Sequence, residues 1–367
     1  MGKWVKKKLG EGLVDRICTG KLDANAMVDG GLYRFYTCAK DYTYIDDYAF
    51  DDEALLISGN GEYVGYVHYY RGKFNAYQRT YVLRGFSIDV KYLQSYLNCF
   101  LRDRIKKEMN AGSIPFIKMG TLTDMYISYP SSLSEQRRIA SILSSADKVI
   151  DSTQKLIAKY KQIKQGMMED LLKPKEGWKK VKLGEVCEPS SEKYNPLTEN
   201  VFQYCIEMEN INQESGTING KSDIAKLLSL KTKFHKGDVL YGKLRPYLRK
   251  YWLADFDGAC STEIWVLKNA ENIEKQFLFY LFQSEYINKI ANLSSGTKMP
   301  RADWKFMREQ NLYIPYKNDI PDLSEQRRIA SILSSIDAKI GSEEKVLEKY
   351  KKIKKGLMEK LLRGEES

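Results

Sequence analysis

The stretch Leu133 to Leu172 reads LSEQRRIASILSSADKVIDSTQKLIAKYKQIKQGMMEDLL, and Leu323 to Leu362 reads LSEQRRIASILSSIDAKIGSEEKVLEKYKKIKKGLMEKLL. About two-thirds of the aligned positions are identical, the first thirteen among them. No proline interrupts either stretch, and Pro174 and Gly364 follow them, so each is predicted to be one unbroken helix. In the first copy Ile142, Ala146, Val149, Thr153, Leu156, Tyr160, Ile163 and Met167 step by three and four, the a/d seam of a coiled coil. At about 1.5 Å per residue such a helix is a rod of roughly 60 Å. A rod with one apolar stripe needs a partner of similar length, and the other copy supplies it.

The duplication extends beyond the helices. Lys3-Trp4 to Leu9-Gly10-Glu11 is echoed by Gly177-Trp178 to Leu183-Gly184-Glu185. Between these markers and the helices, short β-rich runs precede a helix in both halves. In the first half the runs are Leu32 to Thr37, Ala54 to Ser58, Tyr63 to Tyr70 and Gln78 to Leu83, then a helix from Asp89 to Asn110 stopped at Ala111-Gly112, then Tyr126 to Tyr129. In the second they are Val201 to Glu207, Val239 to Tyr241 and Ile264 to Leu267, then a helix from Ile273 to Asn292 stopped near Ser295-Gly296, then Leu312 to Ile314 before Pro315. The expected fold is α+β: globular parts at 1–132 and 174–322, each followed by a long helix at 133–173 and 323–367. Antiparallel pairing of the helices places the globular parts at opposite ends of a rod with pseudo-two-fold symmetry, so one chain mimics an isologous dimer.

A chain of 367 residues exceeds one ordinary core. Its net charge of +11 favours a polyanionic partner, although lysines also populate solvated helix faces. Six cysteines without a Cys-x-x-Cys spacing read as reduced core thiols of a cytoplasmic protein. Two histidines supply neither a zinc site nor a Ser-His-Asp relay. No apolar run is long enough to span a membrane, and the opening MGKWVKKKLG lacks the apolar centre of a signal peptide.

The surfaces of the halves differ. Gly242 to Lys250, with Lys243, Arg245, Tyr247, Arg249 and Lys250, is a basic and aromatic turn after a strand, whereas the matched Gly59 to Tyr66 carries no Lys or Arg. The basic cluster of the first half comes later, as Arg71 and Lys73, then Tyr77, Gln78 and Arg79. Arg and Lys neutralise phosphates, and Arg and Gln also pair with base edges. Lys298 and Arg301, in Ser295 to Arg301, are a second possible phosphate clamp beside a glycine. A solvated hairpin or a plain helix stop explains these clusters too. Gln136, Arg137 and Arg138 open the first long helix, and Gln326, Arg327 and Arg328 open the second. Identical openings suit either two copies of one docking partner or the joint between globular part and rod.

Enzyme signatures fail. Gly216 to Ser222 is one residue short of a phosphate loop and no helical apolar pattern follows it. Asn195-Pro196-Leu197 lacks the second proline and the aromatic residue of an amino-methyltransferase motif, and no Gly-x-Gly-x-x-Gly is present. No catalytic or metal-ligating residue is assigned.

The doubled LSEQRRIASILSSxD helix, with Gly237 to Lys250 (GDVLYGKLRPYLRK), Cys260 to Leu267 (CSTEIWVL) and Gly72 to Leu83 (GKFNAYQRTYVL), resembles the specificity subunit of type I restriction–modification enzymes over nearly the whole chain. The resemblance implies a non-catalytic subunit. Two similar target-recognition domains, separated by antiparallel long helices, each read one half of an asymmetric, bipartite double-stranded DNA site. The helices act as spacer and dock two modification subunits, which restriction subunits join. S-adenosylmethionine, ATP and magnesium are then expected on those partners and no cofactor on this chain. Arg79 departs mildly from the pattern, since relatives often carry His there. A rod of fixed length would set the gap between half-sites near one turn of DNA, about 34 Å. The alternatives are a non-specific or architectural DNA-binding coiled-coil protein and a stand-alone nuclease or methyltransferase.

Overall fold

The computed structural model describes residues 3–108, 115–224, 229–293 and 299–363. It divides into two compact units, Met1–Lys155 with Lys345–Ser367, and Leu156–Glu344. Each unit therefore holds one globular part and a portion of both long helices.

In the first unit the order is β1 (Trp4–Lys8), β2 (Val14–Thr19), β3 (Tyr33–Tyr36), β4 (Thr43–Ile45), β5 (Phe50–Ser58), β6 (Val67–Ala76), β7 (Thr80–Phe86), α1 (Val90–Glu108), α2 (Met119–Thr123), β8 (Tyr126–Pro130) and the first part of α3 (Leu133–Leu171). One sheet runs β2-β7-β5-β6-β3-β4, with β3 parallel to β6. Alternation along the strands gives it two faces. Leu55, Ile57, Val67 and Leu83 pack with Tyr92, Leu93, Leu97 and Leu101 of α1. Tyr36, Ala54, Leu56, Phe74 and Val82 form a smaller core on the other face. Asp89, the first residue of the predicted helix, caps α1, its carboxylate accepting the Tyr92 N–H at 2.9 Å. The predicted stop at Ala111-Gly112 lies outside the described residues.

The second unit runs from the end of α3 through β9 (Trp178–Lys182), β10 (Cys187–Pro189), β11 (Lys193–Tyr194), β12 (Tyr204–Ile206), β13 (Ser222–Asp223), β14 (Lys231–Phe234), β15 (Val239–Gly242), β16 (Tyr251–Leu253), β17 (Gly258–Cys260), β18 (Ile264–Asn269), α4 (Lys275–Gln283), α5 (Glu285–Leu293), α6 (Trp304–Met307), β19 (Asn311–Lys317), β20 (Ile320–Pro321) and into α7 (Leu323–Arg363). The scaffold is the first one again with its long hairpin broken. Leu55 faces Leu83, and Ile57 faces Val67; Val239 faces Leu267, and Tyr241 faces Tyr251. Further along, Phe50 opposite Phe74 is matched by Phe234 opposite Gly258. So β5 corresponds to β15 plus β14, and β6 to β16 plus β17. The breaks fall at His235 to Gly237, where Gly237 has φ +88°, and at Asp255 to Asp257. The Lys236 N–H donating to the Asp257 carboxylate at 2.7 Å ties the two breaks together. One sheet thereby becomes two, β10-β18-β15-β16 and β11-β14-β17-β12-β13.

The repeated Leu-Gly-Glu has one physical meaning in both units. Leu9 and Leu183 are fully buried. Their N–H groups donate to Met125 and Gln310, and those of Gly10 and Gly184 to Thr123 and Arg308. A Cβ on Gly10 would stand 3.0 Å from Thr123, and one on Gly184 3.1 Å from Arg308, so close approach favours glycine there. Glu11 and Glu185 turn back onto the N–H groups of Lys8 and Lys182. The preceding strands pair alike, Trp4 opposite Pro130 and Trp178 opposite Pro315.

Within each unit the helix segments run antiparallel. In the first, Ile139, Ala140 and Leu143 share a core with Leu357, Met358, Leu361 and Leu362, and Lys354 pairs with Asp147. In the second, Ile329, Ala330 and Leu333 share a core with Met167, Met168, Leu171 and Leu172. There Lys164 pairs with Asp337 at 2.7 Å and Lys161 with Glu344 at 2.8 Å. The seam differs from the predicted one. Ala146, Thr153, Tyr160 and Met167 are at least half-buried, but Leu143, Ile150, Ile157 and Lys164 complete the stripe, and Val149, Leu156 and Ile163 are exposed. Adjacent apolar pairs such as Leu156-Ile157 leave either register open to a pattern reading. Lys164 enters because Asp337 neutralises it and Gln283 accepts from it at 2.8 Å.

Three further expectations change. The helix predicted from Ile273 to Asn292 is two helices, broken at Ser284, whose hydroxyl donates to the Leu281 carbonyl at 2.6 Å. Tyr63 to Tyr66 is a turn rather than strand, with Gly65 at φ +77° packed on Ile105. Pro315 does not end its strand, which continues to Lys317. The predicted stop at Ser295-Gly296 and the residue Gly364 lie outside the described residues.

Candidate nucleic-acid interface

Both long helices begin with a buried glutamine that accepts from the start of the preceding helix. The Gln136 side-chain carbonyl accepts the Asp89 N–H at 2.7 Å, and its amide donates to the Pro130 carbonyl at 2.7 Å. Gln326 accepts the Glu274 N–H at 2.8 Å and donates to the Asn272 carbonyl at 3.1 Å. Of the two uses open for the repeated opening, these glutamines serve the joint. The arginines stay outside. Arg138 grips Glu135 with two hydrogen bonds, and Arg328 grips Glu325 likewise. Arg137 reaches Asp89 only at 3.7 Å while 70% exposed, and Arg327 is exposed. The two units thus present one exposed Arg-rich corner twice.

In the second unit the basic turn joins β15 to β16 and winds a short 3-10 turn over Pro246–Leu248. Arg245 and Arg249 both sit in the left-handed region, at φ +51° and +49°. Their side chains have different roles. Arg249 donates to the Gln283 carbonyl at 2.7 Å and pairs with Glu285 and Glu214. Lys250 donates to the Met208 carbonyl at 2.6 Å, and burial lowers its pKa. Arg301 pairs with Glu263 through two hydrogen bonds. Lys243, Arg245 and Tyr247 remain: Arg245 and Tyr247 are exposed, and neither Lys243 nor Arg245 makes an ion pair among the described residues. The strand–turn backbone orients them, through Arg245 N–H to the Pro300 carbonyl at 2.7 Å and Ala302 N–H to the Lys243 carbonyl at 2.9 Å. Lys298 lies outside the described residues.

In the first unit the predicted cluster divides. Arg71 and Lys73 stand on β6 directly opposite Glu53 and Asp51 of β5 without an ion pair among the described residues; Glu53 accepts the Tyr69 hydroxyl at 2.8 Å, and Lys73 lies 4.5 Å from the Tyr48 ring centre. Tyr77, Gln78 and Arg79 form the turn into β7. Gln78 donates to Asp23 at 3.3 Å, while the exposed Arg79 makes no ion pair among the described residues.

The sequence reading missed Arg34. Its guanidinium carbon lies 4.3 Å from the Tyr42 ring centre and 4.6 Å from that of Tyr70. His68 underlies this group, its ring 5.1 Å from Tyr36 and its Nε2 3.1 Å from the Ala39 carbonyl, and burial pushes its pKa below the ordinary value. Cation–π pairing depends on which side chains meet across strands, which composition does not disclose. Among the described residues no group of His, Cys, Asp or Glu can hold a metal ion, and no helix is long and apolar enough to cross a membrane.

A family model described as "Type I restriction modification DNA specificity domain" matches residues 1–162 and again 175–352. The type I restriction enzyme EcoDI specificity subunit of Escherichia coli is 29% identical, over 99% of this chain and 88% of its own length. A crystal structure of the type I restriction–modification S subunit from M. genitalium aligns with TM-score 0.66 at 17% identity, covering 98% of this chain and 96% of that one. A structure described as the basis of complex assembly and conformational transition of the type I R-M system aligns with TM-score 0.56 at 14% identity, covering 99% and 98%.

Proposed function

This chain belongs to the type I restriction–modification DNA specificity family, and from that premise we propose that it is the non-catalytic subunit that gives such a complex its DNA sequence. Each globular part reads one half of an asymmetric, bipartite site. The chain docks two modification subunits and, through them, restriction subunits. The observation that carries this reading is a duplicated frame with unlike surfaces. The bond that each glutamine accepts from the start of the preceding helix recurs, and so does the Leu-Gly-Glu closure. Yet the hairpin end bearing Lys243, Arg245 and Tyr247 is matched in the first unit by a turn, Gly59 to Tyr66, without Lys or Arg. The exposed arginine corner repeated at Arg137 and Arg327 suits two copies of one partner, and unlike surfaces suit two unlike half-sites.

S-adenosylmethionine, ATP and magnesium belong to the partner subunits, and no cofactor is assigned to this chain. The place of action is the cytoplasm, where DNA and a reducing environment meet; the six cysteines are unpaired, and burial pushes the Cys205 thiol up to about 12. Among the residues named from the sequence, Lys243, Arg245, Tyr247, Gln78 and Arg79 are the proposed DNA contacts. Arg249, Lys250 and Arg301 shape the loop that presents them. Selection from random duplexes by the complex of this chain with its modification subunits tests the reading. One enriched asymmetric motif is expected, and enrichment without sequence preference would leave an architectural DNA-binding protein.

A further inference from the structure

Both units hold a cation against two aromatic rings at one topological position. β3 runs parallel to β6, with Phe35 beside Asn75, and pairs with β4 through Phe35 and Thr43. β12 runs parallel to β17, with Cys205 beside Ala259, and pairs with β13 through Cys205 and Ser222. Arg34 therefore corresponds to Tyr204, and Tyr42, just before β4, corresponds to Lys221, just before β13. In the first unit the cation is on the strand and the ring precedes its neighbour. In the second the two have exchanged places: Lys221 lies 3.6 Å from the Phe256 ring centre and 5.2 Å from that of Tyr204. The other ring comes from matching strands but not from one position: Tyr70 in β6 corresponds to Ala254, and Phe256, at the break in the matching strand, stands two residues further on, where the first unit has Gly72. Two halves that differ in sequence here keep the cation and its cage, with the partners swapped.

The surroundings point to an external acceptor. Arg84, Lys231, Lys233 and Arg249 each pair with a carboxylate. Neither Arg34 nor Lys221 pairs with an acid among the described residues; the polar contact given to Arg34 is the Tyr36 hydroxyl at 3.5 Å. Rings that hold a side chain of many rotamers lower the entropy lost when it meets a ligand. Each cage belongs to the sheet face opposite the helix: Tyr70 packs with Tyr36 and Phe74, and Phe256 with Phe234 and Trp252. Exposed tyrosines flank the cations, Tyr42 and Tyr44 in one unit and Tyr204 in the other.

We infer that Arg34 and Lys221 are DNA contacts, one in each half-site reader, on the sheet face opposite the helix. The inference rests on the reading of the chain as a DNA specificity subunit. The ligand is an acceptor on DNA, a phosphate oxygen or a guanine edge, and the test separates these sources. Wild type, Arg34→Gln and Lys221→Gln are each assembled with the modification subunits. Their methylated motifs are mapped, and affinity for the wild-type target duplex is followed across KCl concentrations. Each substitution is expected to weaken binding by about 5- to 150-fold. A base contact relaxes the motif in one half-site only, Arg34→Gln in one and Lys221→Gln in the other. A phosphate contact leaves the motif intact and lowers the salt slope by about one, and Arg34→Lys then restores it. Variants that assemble and melt like wild type but keep its affinity, slope and motif overturn the inference. A wild-type complex without sequence preference overturns the functional reading itself, and the inference with it.

Discussion

Gln136 accepts the Asp89 backbone N–H at 2.7 Å while fully enclosed, so the first turn of the long helix and the first turn of α1 are one hydrogen-bonded unit. Gln326 and Glu274 repeat the bond. Neither glutamine touches the surfaces proposed for DNA. Their identity in the two halves follows from the joint they close.

Gln136→Ala leaves the Asp89 N–H and the Pro130 carbonyl buried without partners. A loss of about 1–3 kcal/mol is expected for each orphaned group. Amide hydrogen exchange checks this: the Asp89 amide should lose protection in Gln136→Ala, and the Glu274 amide in Gln326→Ala. Unchanged protection would show that water or another group replaces the clamp.

The two arginines of the second hairpin are expected to fail differently. Arg249→Ala removes contacts to Gln283, Glu285 and Glu214 and should cost about 1–3 kcal/mol of stability, read as a lower denaturation midpoint. Arg245→Ala should leave the midpoint in place and weaken DNA binding, with a salt slope smaller by about one if it meets a phosphate. Loss of stability in Arg245→Ala with intact binding would reverse the assignment.

Burial holds the His68 ring neutral below its ordinary pKa of 6.5. As pH falls below about 6.5 the unfolded chain takes up a proton that the folded ring refuses, so stability declines from there down to the folded pKa. The chain has two histidines, so their imidazole resonances are readily followed in an NMR titration. The His68 midpoint should lie below 6.5, and His68→Gln should flatten the loss of stability below about pH 6.5. A midpoint at or above 6.5 would contradict the burial.

Gly59 admits no side chain. A Cβ there would stand 2.1 Å from the Arg79 carbonyl oxygen, so Gly59→Ala must displace the turn that presents Gln78 and Arg79. A cost of about 1–3 kcal/mol is expected, with loss of selectivity in one half-site and none in the other. Thermal unfolding and motif mapping of this variant provide the check.

The duplicated helices and the Leu-Gly-Glu echo are legible in the sequence because identity at fixed spacing reports shared backbone geometry. The caps are legible for the same local reason, as Asp89 shows. What escapes is set by distant partners. Nothing near Arg249 announces that Glu285 will bind it. The choice between Ile163 and Lys164 for the seam depends on Asp337, far along the chain. Ser284 breaks a helix with neither glycine nor proline to mark the place. The Arg34 cage is assembled from β3, the approach to β4 and β6, so only the sheet reveals it.

The central claim is that the two globular parts read separate half-sites. Exchanging residues 174–322 for the corresponding part of a relative, in a host that supplies the modification subunits, and then mapping the methylated motif tests it most directly. The motif is expected to keep one half and change the other. A motif altered in both halves, or unaltered, would contradict independent reading by the two domains.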